Sequence, residues 1–271
     1  MTIAELEQLE QLACEVARAA GELIVGERPE RLGVAATKST ATDVVTVMDR
    51  RSEELLRTRL EEARPADGVL GEEGSATSSR SGITWVVDPI DGTVNYLYEL
   101  PGYAVSVAAC TGDVHTPGQW EAIAGAVLNP STGELFHART GGGAFLEYAG
   151  RTTRLHVTKQ ADLAFSLIGT GFGYDPGKRR RQAAIVLDLI PQIRDIRRAG
   201  SAAVDLCSVA AGRLDGYYES GLNPWDLAAG WVIVTEASGV VRGVAGGPPS
   251  SDLVVAGCPE QVAALSPLVD R

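Results

Sequence analysis

The residues best placed to do chemistry stand in one run, Trp85-Val86-Val87-Asp88-Pro89-Ile90-Asp91-Gly92-Thr93-Val94-Asn95. A hydrophobic strand delivers two carboxylates, three residues apart, at its C-terminal end. Pro89 fixes its own φ and removes a donor. Gly92 lets the backbone come close to a ligand, and Thr93 sets a hydroxyl beside the acids. Two carboxylates held this close repel each other unless a cation lies between them. Hard oxygen ligands of this kind suit Mg²⁺ or Mn²⁺ rather than zinc. The plainer reading is a turn, with Asp91-Gly92 as its corner and Asp88 as a cap.

Two further acidic positions bear on the choice. Leu70-Gly71-Glu72-Glu73-Gly74 ends a strand just before that loop, although a Glu-Glu pair alone reads as a solvated turn. Downstream, Asn223-Pro224-Trp225-Asp226 opens a helix, with Asn223 as its cap and Pro224 in its first position. Asp226 then lies in the first turn, where the helix dipole favours an anion. Capping alone would explain it. Gly200-Ser201-Ala202 opens another helix, and free N–H groups there suit a phosphate or polar hydroxyls. An ordinary N-cap at Ser201 is the plainer reading.

The elements that must position these residues follow from periodicity. Leu6, Leu9, Ala13, Val16, Ala20 and Leu23 mark a helix over 3–25, and Thr2 with Glu5 reads as its capping box. A second helix is expected over about 49–62, with Asp49 at or near its start. The strand Thr84–Val87 ends at Asp88, and Tyr103–Ala109 is another strand. Residues 122–128 and 133–138 form a hairpin about Asn129–Thr132. The polar loop 74–82 is the expected mobile segment. Beyond about residue 150, strands at 165–168, 195–197, 216–218 and near 240 and 254 alternate with helices at 178–190, 201–212, 224–238 and from Pro259. That alternation indicates an α/β lobe.

Composition narrows the class. The 271 residues carry a formal charge of −11, with 45% hydrophobic and 22% charged residues, the profile of a globular chain with a sizeable core. The acidic balance argues against non-specific nucleic-acid binding, which needs a basic face. Cys14, Cys110, Cys207 and Cys258 are scattered, suit neither zinc nor a redox pair, and read as buried thiols in a reducing compartment. No signal peptide is recognised, and no apolar run approaches about 18 residues, so no transmembrane helix is expected. A cytoplasmic location follows as the expectation.

Taken together, these residues resemble the inositol monophosphatase family of Mg²⁺-dependent, lithium-sensitive phosphatases, most closely its bacterial inositol-1-monophosphatases. The matching pieces are Asp43-Val44-Val45-Thr46-Val47-Met48-Asp49, Gly71-Glu72-Glu73-Gly74, the run from Trp85 to Asn95, Gly200-Ser201-Ala202, and Leu214–Glu219 through Trp225-Asp226 to Gly230. They stand in the family's order and span most of the chain from Lys38. The resemblance implies an α/β (α+β) fold, a layered αβαβα sandwich of the inositol monophosphatase and fructose-1,6-bisphosphatase type. It implies one catalytic domain over 1–271, with an α+β lobe of about 1–150 and an α/β lobe of about 151–271, and a homodimer.

The resemblance also implies the roles. Glu72, Asp88 and the Ile90 carbonyl would hold a first Mg²⁺, and Asp88, Asp91 and Asp226 a second. Glu72 would help hold a weaker third ion, with Lys38 near it in a loop, and Mn²⁺ is a possible substitute. Asp49 and Thr93 would orient and deprotonate the attacking water. The amides of Gly92 and Thr93 would contact phosphate, and Gly200, Ser201, Ala202 and Glu219, with Asp226, the alcohol part of the substrate. The implied reaction is in-line attack of a metal-activated water on a phosphorylated polyol or sugar, first of all myo-inositol 1-phosphate. Same-fold alternatives are phosphatases of 3′-phosphoadenosine 5′-phosphate, fructose 1,6-bisphosphate or histidinol phosphate. A regulatory binding protein retaining an ancestral site is the alternative from another class. Neither nucleic acid nor membrane is an expected partner.

Other readings fall on spacing. Gly169-Thr170-Gly171-Phe172-Gly173 has the wrong third glycine for a dinucleotide fingerprint, and Pro176 follows where its helix should begin. A haloacid-dehalogenase site needs two aspartates two apart, whereas Asp88 and Asp91 are three apart. His115, His137 and His156 match no catalytic role and read as hairpin or surface positions. Arg179-Arg180-Arg181 reads as a solvated face.

Overall fold

A computed structural model of the chain describes residues 1–38 and 44–271. Asp43, part of the motif that ends at Asp49, lies outside the described residues. The chain begins with α1 (Ile3–Gly26), whose Thr2 and Glu5 form the expected capping box. A short antiparallel pair, β1 (Ala36–Thr37) and β2 (Val44–Val45), leads to α2 (Val47–Ala63). Seven strands follow in the large sheet: β3 (Gly68–Gly71), β4 (Ile83–Asp91), β5 (Ala104–Gly112), β6 (Trp120–Asn129), β7 (Glu134–Arg139), β8 (Gly143–Tyr148) and β9 (Arg151–Arg154), with the short α3 (Thr93–Leu97) after β4. They pair in chain order, β3 parallel to β4 and the rest antiparallel.

The second half holds β10 (Leu167–Thr170), α4 (Pro176–Leu189), β11 (Asp195–Arg197), α5 (Ala202–Ala210), β12 (Gly216–Glu219), α6 (Pro224–Glu236), β13 (Val240–Arg242), β14 (Val254–Gly257) and α7 (Pro259–Val269). Its sheet runs β11-β10-β12-β14-β13. The first three strands are parallel, and β14 is antiparallel to both its neighbours.

Strand alternation explains the layers. On β4, Trp85 and Val87 join Leu9, Val16, Met48 and Leu56 of α1 and α2 in one core. Val86 turns the other way, into a core with Leu206 of α5, Ala228 and Val232 of α6, and Tyr217 and Val254 of the second sheet. Ile168, Tyr218 and Val255 face outward onto Leu189 of α4 and Leu265 of α7. Helices, sheet, helices, sheet, helices is the layered sandwich that the motifs imply. The α5–α6 pair shares a core with both sheets, so the ends of elements from both halves meet there.

Three local differences from the sequence reading matter for the site. The strand that was to end at Asp88 continues through Pro89 to Asp91. Pro89 is tolerated because the pairing slips there: Asp88 lies opposite Ser106 and Asp91 opposite Ala104, so β4 carries one residue more than β5. Helix α2 starts at Val47, two residues earlier than the expected start, so Asp49 is its third residue and lies near the start as expected. The five-residue α3 carries no periodicity that a sequence reading could find. Loop 74–82, the expected mobile segment, is tied back by Thr77 N–H to the Val69 carbonyl (2.9 Å) and by Arg80 N–H to the Ala66 carbonyl (2.7 Å). Cys110, Cys207 and Cys258 are buried, Cys14 is half-buried, and all four are free thiols.

Candidate active site

The bulge in β4 converts a spacing into a site. In a regular strand, residues three apart face opposite sides of the sheet. The extra residue between Asp88 and Asp91 cancels that inversion, and one oxygen each of Asp88, Asp91 and Asp226 come within 4.8 Å of one another. Each carboxylate is aimed by backbone. Asp88 Oδ1 accepts the Ile90 N–H (3.0 Å). Asp91 Oδ2 accepts the Ser201 hydroxyl and the Ala203 N–H, both at 2.7 Å. Asp226 Oδ2 accepts the Asn223 N–H (2.7 Å) at the start of α6. The Ser52 hydroxyl holds the bulge from below by donating to the Pro89 carbonyl (3.1 Å).

Capping and site roles therefore coincide. Ser201 is the N-cap of α5, its oxygen accepting the Val204 N–H (3.2 Å), while its proton goes to Asp91. The Asn95 amide donates to the carbonyls of Gly102 (2.5 Å) and Ala199 (2.8 Å), tying α3 to the Gly200 turn. Gly92 adopts φ +91°, and a Cβ there would lie 2.9 Å from the Gly102 oxygen and 3.0 Å from the Gly200 oxygen. Both conformation and space demand glycine.

Asp49 lies beneath this floor. Its Oδ2 accepts the Thr46 N–H (2.8 Å) and hydroxyl (2.5 Å) as the capping box of α2. Its Oδ1 accepts the Thr93 hydroxyl (3.0 Å), which also lies 3.0 Å from the Ile90 carbonyl. One hydroxyl proton faces two acceptors, and donation to Asp49 leaves the Thr93 oxygen with lone pairs turned to other donors. Glu72 stands at the end of β3, and Lys38 Nζ bridges it (2.7 Å) and Glu73 (2.5 Å). Glu219, at the end of β12, accepts the Tyr217 hydroxyl. Gly171 leaves space that the Glu219 carboxyl fills.

Burial dominates the electrostatics. It pushes Glu72 up to about 7, against the pull of Lys38 and with repulsion from Glu73 and Asp49. It pushes Asp91 up to about 6, against the donors Ser201 and Ala203. Asp88 and Asp226 are driven well above the usual carboxylate range by burial and then by the neighbouring acids. Asp49 is raised by burial, although Thr46 and Thr93 oppose it by hydrogen bonding. Glu219 reaches about 7 through burial, with Tyr217 opposing. A cluster of oxygens whose anionic forms repel one another is chemically matched to a hard divalent cation. The Lys38 ammonium is the one cation bridging Glu72 and Glu73 among the described residues.

A cavity of about 440 Å³ collects the site. Lys38, Glu72, Asp88, Ile90, Asp91, Gly92, Thr93, Gly200, Ser201, Ala202, Glu219 and Asp226 all line it. Asp49 does not, and reaches it through Thr93. None of the three histidines lines it, and Arg179, Arg180 and Arg181 are exposed on α4. Sequence reasoning missed Asp205, which is 3% exposed, lines the cavity and is pushed up to about 8 by burial and by Glu219 and Asp91. It also missed Arg198 and Lys178 on the wall. Asp205 lies one helical turn after Ser201, a spacing that could have marked it.

The model described as the inositol monophosphatase family matches residues 5–267. The chain is 44% identical over 251 residues to inositol-1-monophosphatase of Mycobacterium leprae, covering 88% of this chain and 82% of that one. It is 39% identical over 241 residues to a Pasteurella multocida protein named Nus factor SuhB, covering 87% and 85%. Among solved structures, Mycobacterium tuberculosis SuhB superposes with a TM-score of 0.81 at 40% identity, covering 97% of this chain and 98% of that one.

Proposed function

Because the chain belongs to the inositol monophosphatase family, we propose that it hydrolyses a phosphate monoester, with Mg²⁺ as cofactor and myo-inositol 1-phosphate as first substrate. The observation that carries this reading is the convergence of Asp88, Asp91 and Asp226 within 4.8 Å beside the Thr93–Asp49 hydrogen bond. Glu72, Asp88, Asp91, Asp226 and the Ile90 carbonyl would hold two or three ions. When bound, such cations acidify water and neutralise charge on a transferring phosphoryl group.

The chain's own residues do the rest. Thr93 donates its proton to Asp49 Oδ1 and takes one from the attacking water at its own oxygen. Asp49 ends with the proton, and its raised pKa makes it the better base for that task. Gly92 and Thr93 open α3, whose first-turn N–H groups lack intrahelical partners and suit phosphoryl oxygens. Ser201 and Glu219 face the remainder of the cavity and suit the hydroxyls of a polyol. Binding Asp91 through Ser201 and Ala203 links the alcohol end of the substrate to the cation end.

The test is phosphate release with Mg²⁺ from inositol 1-phosphate, fructose 1,6-bisphosphate, histidinol phosphate and 3′-phosphoadenosine 5′-phosphate. The highest kcat/KM is expected on inositol 1-phosphate, with lithium inhibiting. Higher kcat/KM on another member would move the substrate assignment within the fold. A binding role is the second reading, favoured by the Pasteurella relative's name; no release from any of the four would support it.

A further inference from the structure

We infer that Glu53, a buried carboxylate of α2 outside the cavity, is the positioning residue for Glu72. The inference rests on the reading of Glu72 as a cation ligand. Glu53 is 2% exposed, an expensive place for an acid unless its oxygens are satisfied. They are satisfied by the turn that carries Glu72. Oε2 accepts the Glu73 N–H (2.7 Å), and Oε1 accepts the Gly74 N–H (2.8 Å) and Arg57 Nε (2.7 Å). Two successive main-chain N–H groups around one carboxylate form an anion nest.

The geometry says what that nest controls. The Glu73 N–H belongs to the peptide unit that begins at Glu72, so anchoring it fixes the backbone rotation on the C-terminal side of the Glu72 Cα. Arg57 holds Glu53 from α2, and Lys38 bridges Glu72 and Glu73 through their side chains. The glycines on either side report the same contact. A Cβ on Gly71 would lie 2.5 Å from the Glu53 carboxyl carbon, and one on Gly74 would lie 2.7 Å from Oε1. Neither glycine has a left-handed φ, so space rather than conformation requires them. The turn closes around Glu53, and Glu72 is left facing the cavity. Glu53 stands one helical turn from Asp49, so a single face of α2 carries both the proposed base and the anchor of a proposed ligand.

The test is Glu53→Gln in the full chain, with Mn²⁺ as the probe and bound Mn²⁺ read by electron paramagnetic resonance. The variant keeps shape but turns an amide donor toward an N–H. Cation affinity should fall about 10- to 100-fold, the usual cost of removing a group that orients a ligand. Phosphate release at saturating Mg²⁺ should return near the unaltered kcat. A merely structural role would lower the melting temperature and leave cation affinity unchanged, which overturns the inference. Glu72→Gln separates the two layers: if it binds Mn²⁺ normally, the reading of Glu72 fails, whereas a defect in it alone sinks only the positioning role of Glu53. Should Glu53→Gln fail to fold, Gly74→Ala displaces the turn with the carboxylate retained. Weakened Mn²⁺ binding there supports the inference, and unchanged binding overturns it.

Discussion

Thr93 and Asp49 illustrate how one side chain serves both a helix and a reaction. The capping box needs only one carboxylate oxygen of Asp49, and Thr46 takes it. The other oxygen is free to accept from Thr93. Thr93→Val keeps the shape of the side chain and removes the relay. It should lower kcat by about 10²- to 10⁴-fold, the range for lost general-base catalysis, while Mn²⁺ affinity stays unchanged. A variant with normal kcat would show that proton removal takes another route. At this scale residue type and spacing pointed to Glu72, Asp88, Asp91, Asp226, Thr93 and Ser201, whereas Asp49 and Glu219 were reached only through the family resemblance. Asp205 was reached by neither: its place one helical turn after Ser201 was the available signal, but its contact with the cavity also depends on β10 and β12 lying beside α5.

Element ends carry the site, and irregular elements carry it most. A strand with a proline reads as a strand that stops, so β4 was expected to end at Asp88. Its continuation depends on β5, whose pairing absorbs one residue between Ser106 and Ala104. No local signal contains that register. The turn after it is legible, since Asp91-Gly92 marks a corner, but the reason is tertiary: Gly92 sits against the carbonyls of Gly102 and Gly200. Gly92→Ala should destabilise the protein by about 1–3 kcal/mol, the usual cost of a strained backbone site, measured by denaturant unfolding. It should also reduce phosphate release by displacing the Gly200 turn. Unchanged stability would mean that the turn relaxes without cost.

For the whole molecule, the charge of −11 takes on a location. Glu72, Asp88, Asp91 and Asp226 line one cleft and Asp49 meets it through Thr93, so part of the acidic surplus is a buried cluster that could hold a cation, rather than charge spread over the surface. The layered order of helices and sheets was legible from the family's motifs; the burial that raises these acids was not, because it needs both sheets. Folding raises Glu72 from 4.5 to about 7 and Asp91 from 3.8 to about 6. Their protonated forms therefore favour the folded state. That stability is present in full below the ordinary values and is lost as pH rises through about 6 and 7. In chelator, the melting temperature should fall between pH 5 and pH 8, and Mg²⁺ should restore it more at pH 8. A flat profile in chelator would remove the buried acids from the stability balance.

Metal dependence of phosphate release from myo-inositol 1-phosphate tests the central claim most directly. With chelator, release should be negligible; it should rise and saturate with added Mg²⁺, and Asp226→Asn should abolish it without unfolding the protein. Equal release in chelator, or full release from Asp226→Asn at saturating Mg²⁺, would contradict the account.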